Sequence, residues 1–270
     1  MAKDVSLGQY YPTSSVVHRL NPCLKLIYFI AVLVIIFVAD NFYGFIAIGG
    51  FLLLTILLSR VPIKSVLQSL KAILFVIVFT VILNLFFSAK SGKVVVEIWK
   101  IKIYSGQLIF SAFMCLRLVT LAIASAILTL TTTPIELTDG IETLLKPLAL
   151  IKFPVHTLAL IMSIALRFIP TLSEKTQTIM SAQKARGSNL DTGGLIKKVK
   201  ALVPVLIPLL IGSFNIADQL GDAMDARCYG TGKRTKYKKL TFGLRDLFAF
   251  VLTTALVAGI IVLNVTLGGI

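Results

Sequence analysis

The stretch LVTLAIASAILTLTTTPI, residues 118–135, contains no charged residue and approaches the ~20 residues that an α-helix needs to cross the hydrocarbon of a bilayer. Further charge-free runs of similar length lie at 41–59, 72–89 and 247–270. Repeated runs of this kind are typical of a chain that crosses the membrane several times.

The composition of the whole chain supports this interpretation. Of its 270 residues, 57% are hydrophobic and 14% are charged, whereas soluble domains have about 25% charged residues. A shorter apolar run of 14 residues separates Lys25 from Asp40. We count it as a crossing because Lys25 can extend its ammonium group toward the headgroups and Asp40 can lie among them. The sequence thus predicts an all-α polytopic membrane protein with about five transmembrane helices.

The charge distribution predicts how the chain is divided and oriented. The segment 131–241 carries 15 Lys or Arg against 8 Asp or Glu, which by the positive-inside tendency makes it cytoplasmic. Around 98–104, lysines alternate with apolar residues, a pattern that predicts a strand. The predicted parts are a cytoplasmic segment 1–23, four transmembrane helices in 24–130 with a small extracytoplasmic strand or hairpin near 92–106, a coupling domain 131–241 and a final transmembrane helix 242–270.

The pattern of caps and apolar residues in the segment 131–241 predicts about three amphipathic helices. A cap at Thr133 followed by Pro134 begins a short helix that runs to about Leu150. Two longer helical patterns follow, and both change from an apolar first half to a polar second half. Uncharged stretches at 153–166 and 201–217 leave a seven-crossing alternative open. Interfacial helices are favoured because prolines interrupt the second stretch and cationic residues flank both.

Both long helical patterns end in a similar motif. These motifs are Ala185-Arg186-Gly187 and Ala226-Arg227-Cys228-Tyr229-Gly230, which lie 41 positions apart. Arginine followed closely by glycine is an effective helix end on structural grounds alone, because the cation complements the helix dipole. Two such motifs on matched helices also suit insertion into a two-lobed partner, since alanine permits close approach and a guanidinium can bind carboxylates or carbonyls.

At these residues the chain resembles the transmembrane T component of energy-coupling factor (ECF) transporters, which are ATP-driven uptake systems. The likeness covers nearly the whole chain, and the two arginine motifs are its most specific part. It also includes Gly8-Gln9-Tyr10-Tyr11-Pro12, Ser15, His18, Leu20-Asn21-Pro22, Lys25, Thr133-Pro134 and Leu166-Arg167-Phe168-Ile169-Pro170.

The resemblance implies a non-catalytic, energy-coupling scaffold in the prokaryotic cell membrane. Its two long helices would cross, and ATP and Mg²⁺ would be bound by two cytoplasmic ABC-type ATPases, with no cofactor or metal in this chain. A separate membrane-embedded S component would bind vitamins or other micronutrients. The residues that the resemblance places in grooves of the ATPases are Ala185, Arg186, Gly187, Ala226, Arg227 and Cys228.

The chain departs from the family pattern at three positions. Asn21 and Cys23 flank Pro22 where an aspartate and an arginine are usual, so no ion pair is expected there. Cys228 replaces a glycine of the second motif, and we expect Gly230 to supply the helix end instead.

The sequence is also compatible with two other kinds of transport protein. The T component of a dedicated cobalt- or nickel-type uptake system stays open, as does a stand-alone secondary carrier. Nucleic acid is disfavoured as a partner because the basic residues lie beside predicted spans, where lipid headgroups attract them. Arg117 is the one ionisable residue well inside a predicted span. It either has a functional role or is a buried structural residue bonded to backbone carbonyls or to Asn84.

Overall fold

A computed structural model describes residues 10–39, 41–87, 94–98, 101–188, 194–230 and 242–267 of the chain. Almost all of these residues are helical, so the predicted all-α polytopic fold class is confirmed. The helices are α1 (Pro22–Val38), α2 (Phe42–Ser59), α3 (Ile63–Phe87), α4 (Ser105–Thr131), α5 (Pro134–Leu145), α6 (Val155–Ala185), α7 (Leu195–Ala226) and α8 (Leu244–Leu267). A 3₁₀ helix, Lys146–Ile151, follows α5, and strands β1 (Val94–Ile98) and β2 (Ile101–Tyr104) precede α4.

Five of the described helices are long and apolar enough to cross a membrane: α2, α4, α6, α7 and α8. Helix α3, bent by 52° between Lys71 and Ile73, makes a sixth if its halves are one span. The number agrees with the predicted five, but the set differs, because α1 has only 17 residues while α6 and α7 qualify. Pro204 and Pro208 lie inside a continuous α7, so they do not divide its apolar stretch as the sequence analysis assumed.

The chain forms two compact units. The membrane unit comprises the described residues up to Val155 together with those after Thr241, and the two-helix unit extends from His156 to Leu240. Ile36, Ile48 and Ile260, from α1, α2 and α8, are almost completely buried in the core of the membrane unit. Helix α4 contributes Ala124 to this core, and its Ala126 packs with Val61 and Val66 in a second buried cluster. Small side chains let helix backbones approach closely. This matters in a membrane, because lipid is as apolar as the protein core and burial of apolar surface does not favour one helix face over another.

The two strands form an antiparallel pair in which Glu97 lies opposite Lys102 and Ile98 lies opposite Ile101. The single strand predicted over 98–104 is therefore divided between two strands, and residues 99 and 100 lie outside the described residues. The extracytoplasmic location of this hairpin stays a prediction.

Lys25 is buried, with 5% of its surface exposed, so the prediction that it extends toward the headgroups is wrong. Its Nζ donates hydrogen bonds to the carbonyl oxygens of His18 and Thr131, each at 3.0 Å. Thr131 is the last residue of α4, where carbonyls have no helical partner. Lys25 consequently ties the segment before α1 to the end of α4. Asp40, the other residue expected at the headgroups, lies outside the described residues.

The segment before α1 is held by a local network around His18. The His18 Nδ1 atom lies 2.7 Å from Ser15 Oγ, and Nε2 lies 3.1 Å from the carbonyl oxygen of Tyr11. Burial lowers the pKa of His18 below its ordinary value, although the Tyr11 carbonyl opposes this shift. A neutral ring that donates from Nε2 and accepts at Nδ1 satisfies both contacts.

Asp246 joins the beginnings of α1 and α8. Its Oδ1 accepts the N–H of Asn21 and its Oδ2 accepts the N–H of Gly243, both at 2.9 Å. Asn21 also caps α1, because its side-chain oxygen accepts the N–H of Cys23 at 3.0 Å. The asparagine that replaces the family's aspartate therefore still performs the capping role that an aspartate would have.

Helix α5 begins as predicted, with a reciprocal cap between Thr133 and Glu136. The Thr133 hydroxyl accepts the N–H of Glu136, and the Glu136 carboxylate accepts the N–H of Thr133, each at 3.2 Å. Gly140 lets α5 approach the first turn of α1, since a Cβ there would lie 3.0 Å from the carbonyl of Pro22. That contact sets how closely α5 can pack on α1.

Arg117, in the middle of α4, has a structural contact. Its Nη2 donates to the carbonyl oxygen of Ala39 at 3.1 Å, and its guanidinium lies 6.0 Å from the centre of the Phe37 ring. Ala39 is the C-cap of α1, so the cation binds at the negative end of that helix. This contact matches the predicted bonding to a backbone carbonyl.

Candidate partner-binding site at two helix ends

The first arginine motif forms the end of α6. Ala185 is its last helical residue, Arg186 follows, and Gly187 has a positive φ of 85°. The N–H of Gly187 donates to the carbonyl of Lys184, and the N–H of Ser188 donates to that of Gln183, both at 3.0 Å. This is a Schellman closure, in which the residue after the C-cap is left-handed. We call residues 185–187 the α6 tip.

The second motif closes α7 by the same hydrogen bonds. The N–H of Cys228 donates to Asp225 at 2.9 Å, and the N–H of Tyr229 donates to Met224 at 3.0 Å. The left-handed residue is Cys228, with φ 55°. The expectation that Gly230 ends the helix is therefore wrong, because Cys228 itself adopts the conformation that glycine favours. We call residues 226–228 the α7 tip.

The two tips have the same chemistry on their surfaces. Arg186 and Arg227 each occupy the C-cap position, and the small residues beside them leave the surrounding backbone open. All six tip residues are exposed in the described structure. A guanidinium at the negative end of a helix dipole is held there electrostatically, while its planar set of donors stays free to bind carboxylates or carbonyls of another protein. Each tip is therefore suited to insertion into a groove.

One hydrogen bond marks where α6 and α7 meet within the two-helix unit. The Nε2 atom of Gln183 donates to the carbonyl oxygen of Pro204 at 3.4 Å. Pro208 has no N–H, so it cannot bond to the carbonyl four residues earlier, which belongs to Pro204. Gln183 from the other helix uses this carbonyl. Gln183 is not among the predicted site residues, although the spacing of Pro204 and Pro208 indicates that one carbonyl in α7 lacks its helical donor.

The two tips lie at very different distances from this contact. It lies near the end of α6 but in the first third of α7. At 1.5 Å per residue, the helix from Pro204 to Ala226 extends for about 30 Å, whereas only a few ångströms separate Gln183 from the α6 tip. The tips are therefore far enough apart to meet two different protein subunits.

Substitutions of Cys228 test the closure of α7. A left-handed conformation costs a residue with a Cβ atom about 1–2 kcal/mol. Glycine avoids this cost, but it loses more conformational entropy on folding, which offsets part of the gain. Cys228→Gly is thus expected to increase the hydrogen-exchange protection of the Tyr229 amide, by up to about fivefold for a net gain near 1 kcal/mol. The β-branched Cys228→Val is expected to reduce it.

Hydrogen exchange on the full-length chain in detergent provides this comparison, with the Ser188 amide of the α6 tip as the internal reference. Equal protection of Tyr229 in the glycine and valine variants would show that the left-handed residue does not control the end of α7.

Comparisons with known proteins agree with this geometry. The model of the family described as "CbiQ: Cobalt transport protein" matches residues 13–237. Three curated relatives are each named energy-coupling factor transporter transmembrane protein EcfT. That of Clostridium kluyveri is 46% identical over 95% of this chain and 96% of its own length. That of Thermosediminibacter oceani is 43% identical over 95% and 97%, and that of Bacillus subtilis is 43% identical over 96% and 97%.

The matches to these relatives extend over nearly the full length of the chain and of each relative. The chain belongs to the EcfT family of energy-coupling factor transporter transmembrane proteins, which are multi-pass proteins of the prokaryotic cell membrane.

Proposed function

We propose that this chain is the energy-coupling scaffold of an ATP-driven importer, in which the α6 and α7 tips dock into grooves of two cytoplasmic ABC-type ATPases. The observation that carries the proposal is the pair of identical helix closures, each with an exposed arginine at its C-cap. Their separation of about 30 Å along α7 gives each ATPase its own tip. The excess of Lys and Arg in the segment 131–241 supports a cytoplasmic location for the two tips.

The mechanism that we propose is mechanical. ATP and Mg²⁺ bind to the ATPases, and closure of these subunits moves the two tips relative to each other. The contact between Gln183 and Pro204 is the proposed point about which α6 and α7 then change their angle, because a hydrogen bond joins the two helices there. Movement of packed rigid helices in this way is a common form of domain rearrangement.

A membrane-embedded S component is the proposed recipient of this movement. Helix α7 exposes large apolar side chains four residues apart, at Leu206, Leu210 and Phe214, with 51%, 56% and 67% of their surfaces accessible. Such a stripe is suited to packing against a helix of another membrane protein. Substrate selection, for vitamins or other micronutrients, would belong to that partner and not to this chain.

A second candidate is the T component of a dedicated metal-ion uptake system. It is favoured by the description of the matching family model as a cobalt transport protein. The two candidates share the ATPases but differ in the membrane partners. A shared scaffold would associate with several S components, whereas a dedicated one would associate with a single fixed partner.

Purification of the tagged chain from its native membranes, followed by mass spectrometry, tests the proposal. We expect two ATPase subunits together with one or several small membrane proteins. The Arg186→Ala/Arg227→Ala variant is the control, because it should lose the ATPases and keep the membrane partners. Absence of any ATPase from the wild-type sample would refute the proposed function.

A further inference from the structure

The membrane unit contains an apolar cavity of about 140 Å³ between α1, α2, α4 and α8. Its walls include Phe29, Val32, Leu52, Ile127 and Leu252. An engineered protein cavity of ~150 Å³ with similar lining stays free of water and binds benzene. The space can therefore hold a hydrocarbon group of about six carbons, and leaving it empty would forfeit the dispersion contacts of its walls.

A second, larger cavity of about 440 Å³ adjoins it, because Val16, Leu58 and Arg245 line both. The lining of this second cavity is cationic and contains no acidic residue among the described residues. Besides the three shared side chains, it consists of Ser14, Ser15, Arg19, Leu57 and Arg60. We call the two together the amphiphilic cavity.

The three arginines come together from distant parts of the chain. Arg19 precedes α1, Arg60 is the C-cap of α2 with a left-handed φ of 55°, and Arg245 lies in the first turn of α8. All three are exposed. The adjacent carboxylate of Asp246 is buried and accepts N–H groups of Asn21 and Gly243. It does not line the cavity, and no other acidic side chain of the described residues does.

We infer that the amphiphilic cavity binds one anionic phospholipid, with the phosphate at Arg19, Arg60 and Arg245 and part of an acyl chain in the apolar space. Guanidinium groups bind phosphate oxygens through paired hydrogen bonds, and the hydroxyl of Ser14 adds a donor. A free phosphate would leave the apolar space empty, and a zwitterionic lipid would bring a second cation toward the arginines. Basic pockets between membrane helices are known to bind lipid headgroups.

Such a lipid would connect the segment before α1 with the end of α2 and the beginning of α8. Loss of the lipid would then leave three cations at one cavity, where their mutual repulsion is unfavourable. The inference does not depend on the proposed function, since it concerns the membrane unit and not the tips.

The test measures lipid binding to the full-length chain in an uncharged detergent by native mass spectrometry. We expect one tightly held phosphatidylglycerol per chain, with phosphatidylcholine and glycerol phosphate each bound at least about tenfold more weakly. The variant Arg19→Gln/Arg60→Gln/Arg245→Gln should weaken phosphatidylglycerol binding by about tenfold or more, because each cation near the membrane surface contributes to attraction of an anionic lipid.

Two further variants provide the controls. Lys64→Gln/Lys71→Gln/Lys146→Gln removes three exposed cations of the same unit that do not line the cavity, and it should change binding by less than about twofold. Ala249→Phe fills the apolar space, which Ala249 lines, and should weaken phosphatidylglycerol binding while the arginines stay in place. The single variant Arg60→Gln should act in the same direction as the triple arginine variant if the latter unfolds.

Three outcomes would overturn the inference. Equal binding of phosphatidylcholine and phosphatidylglycerol would show that the arginines do not select an anion. Displacement of phosphatidylglycerol by an equal concentration of glycerol phosphate would show a site for the anion alone. Equal losses in the arginine and lysine triple variants would reduce the effect to overall charge.

Discussion

Replacing both Arg186 and Arg227 by alanine is expected to abolish ATP-driven uptake while leaving the chain inserted in the membrane. This prediction rests on the proposed function. An arginine anchor in a partner's pocket contributes about 2 kcal/mol or more, so each ATPase should bind about thirtyfold more weakly and the pair together roughly a thousandfold more weakly. Each single variant should reduce uptake only in part, because the other tip can still dock into its ATPase. Uptake and ATP hydrolysis in vesicles reconstituted with the full complex provide the measurements.

Two controls separate loss of a partner contact from damage to the helices. Lys175→Ala removes an exposed cation from α6 at a distance from its tip and should leave uptake unchanged. The Arg186→Lys/Arg227→Lys variant keeps the charge at both helix ends but loses the planar donor set, so intermediate uptake is expected. Wild-type uptake by the double alanine variant would remove the tips from the mechanism.

Replacing Asp246 by alanine should cause the largest loss of stability in the membrane unit. The carboxylate is 6% exposed and accepts two backbone N–H groups at 2.9 Å. Hydrogen bonds to a charged group contribute about 1.5–3 kcal/mol each, so removal of both should cost about 3 kcal/mol or more. For a chain of this size that corresponds to a fall in Tm of roughly 5–10 °C.

Thermal unfolding of the purified chain in detergent measures this effect. Asp222→Asn alters an exposed carboxylate of α7 and should change Tm by no more than about 1–2 °C. Asp246→Asn should lie between the two, because its amide oxygen accepts one N–H while its amino group faces the other. A fall in Tm for Asp246→Ala no larger than that for Asp222→Asn would show that the connection between α1 and α8 does not depend on this carboxylate.

The arginine tips were predictable because their signal is local. Helix α6 combines an uncharged first half, a polar second half and a terminal Ala-Arg-Gly within about thirty residues. The helix closes through hydrogen bonds between residues three to five positions apart. The same local reasoning failed at Cys228. Glycine is so strongly preferred in the left-handed conformation that Gly230 was the better expectation, yet the cost of placing a cysteine there is only about 1–2 kcal/mol.

The face that each crossing helix turns toward the core could not be predicted from the sequence. Helices α2 and α8 are apolar on every side, so no periodicity in their sequences separates the face that meets lipid from the face that meets the core. Ile48 and Ile260 are nearly fully buried, whereas Leu53 and Val265 are 59% and 79% exposed. All four are large apolar residues, and only packing against neighbouring helices distinguishes them.

Composition and short-range patterns are enough to predict that the chain is a helical membrane protein and which residues form the tips, because these properties arise from contacts within a few residues. The environments of Lys25, Gln183 and Asp246 depend instead on contacts between distant parts of the chain. Asp246 binds the backbone of Asn21, 225 positions away, and Lys25 binds Thr131, 106 positions away. A buried charge must bind whatever polar backbone the fold brings beside it, and no local pattern specifies which backbone that is.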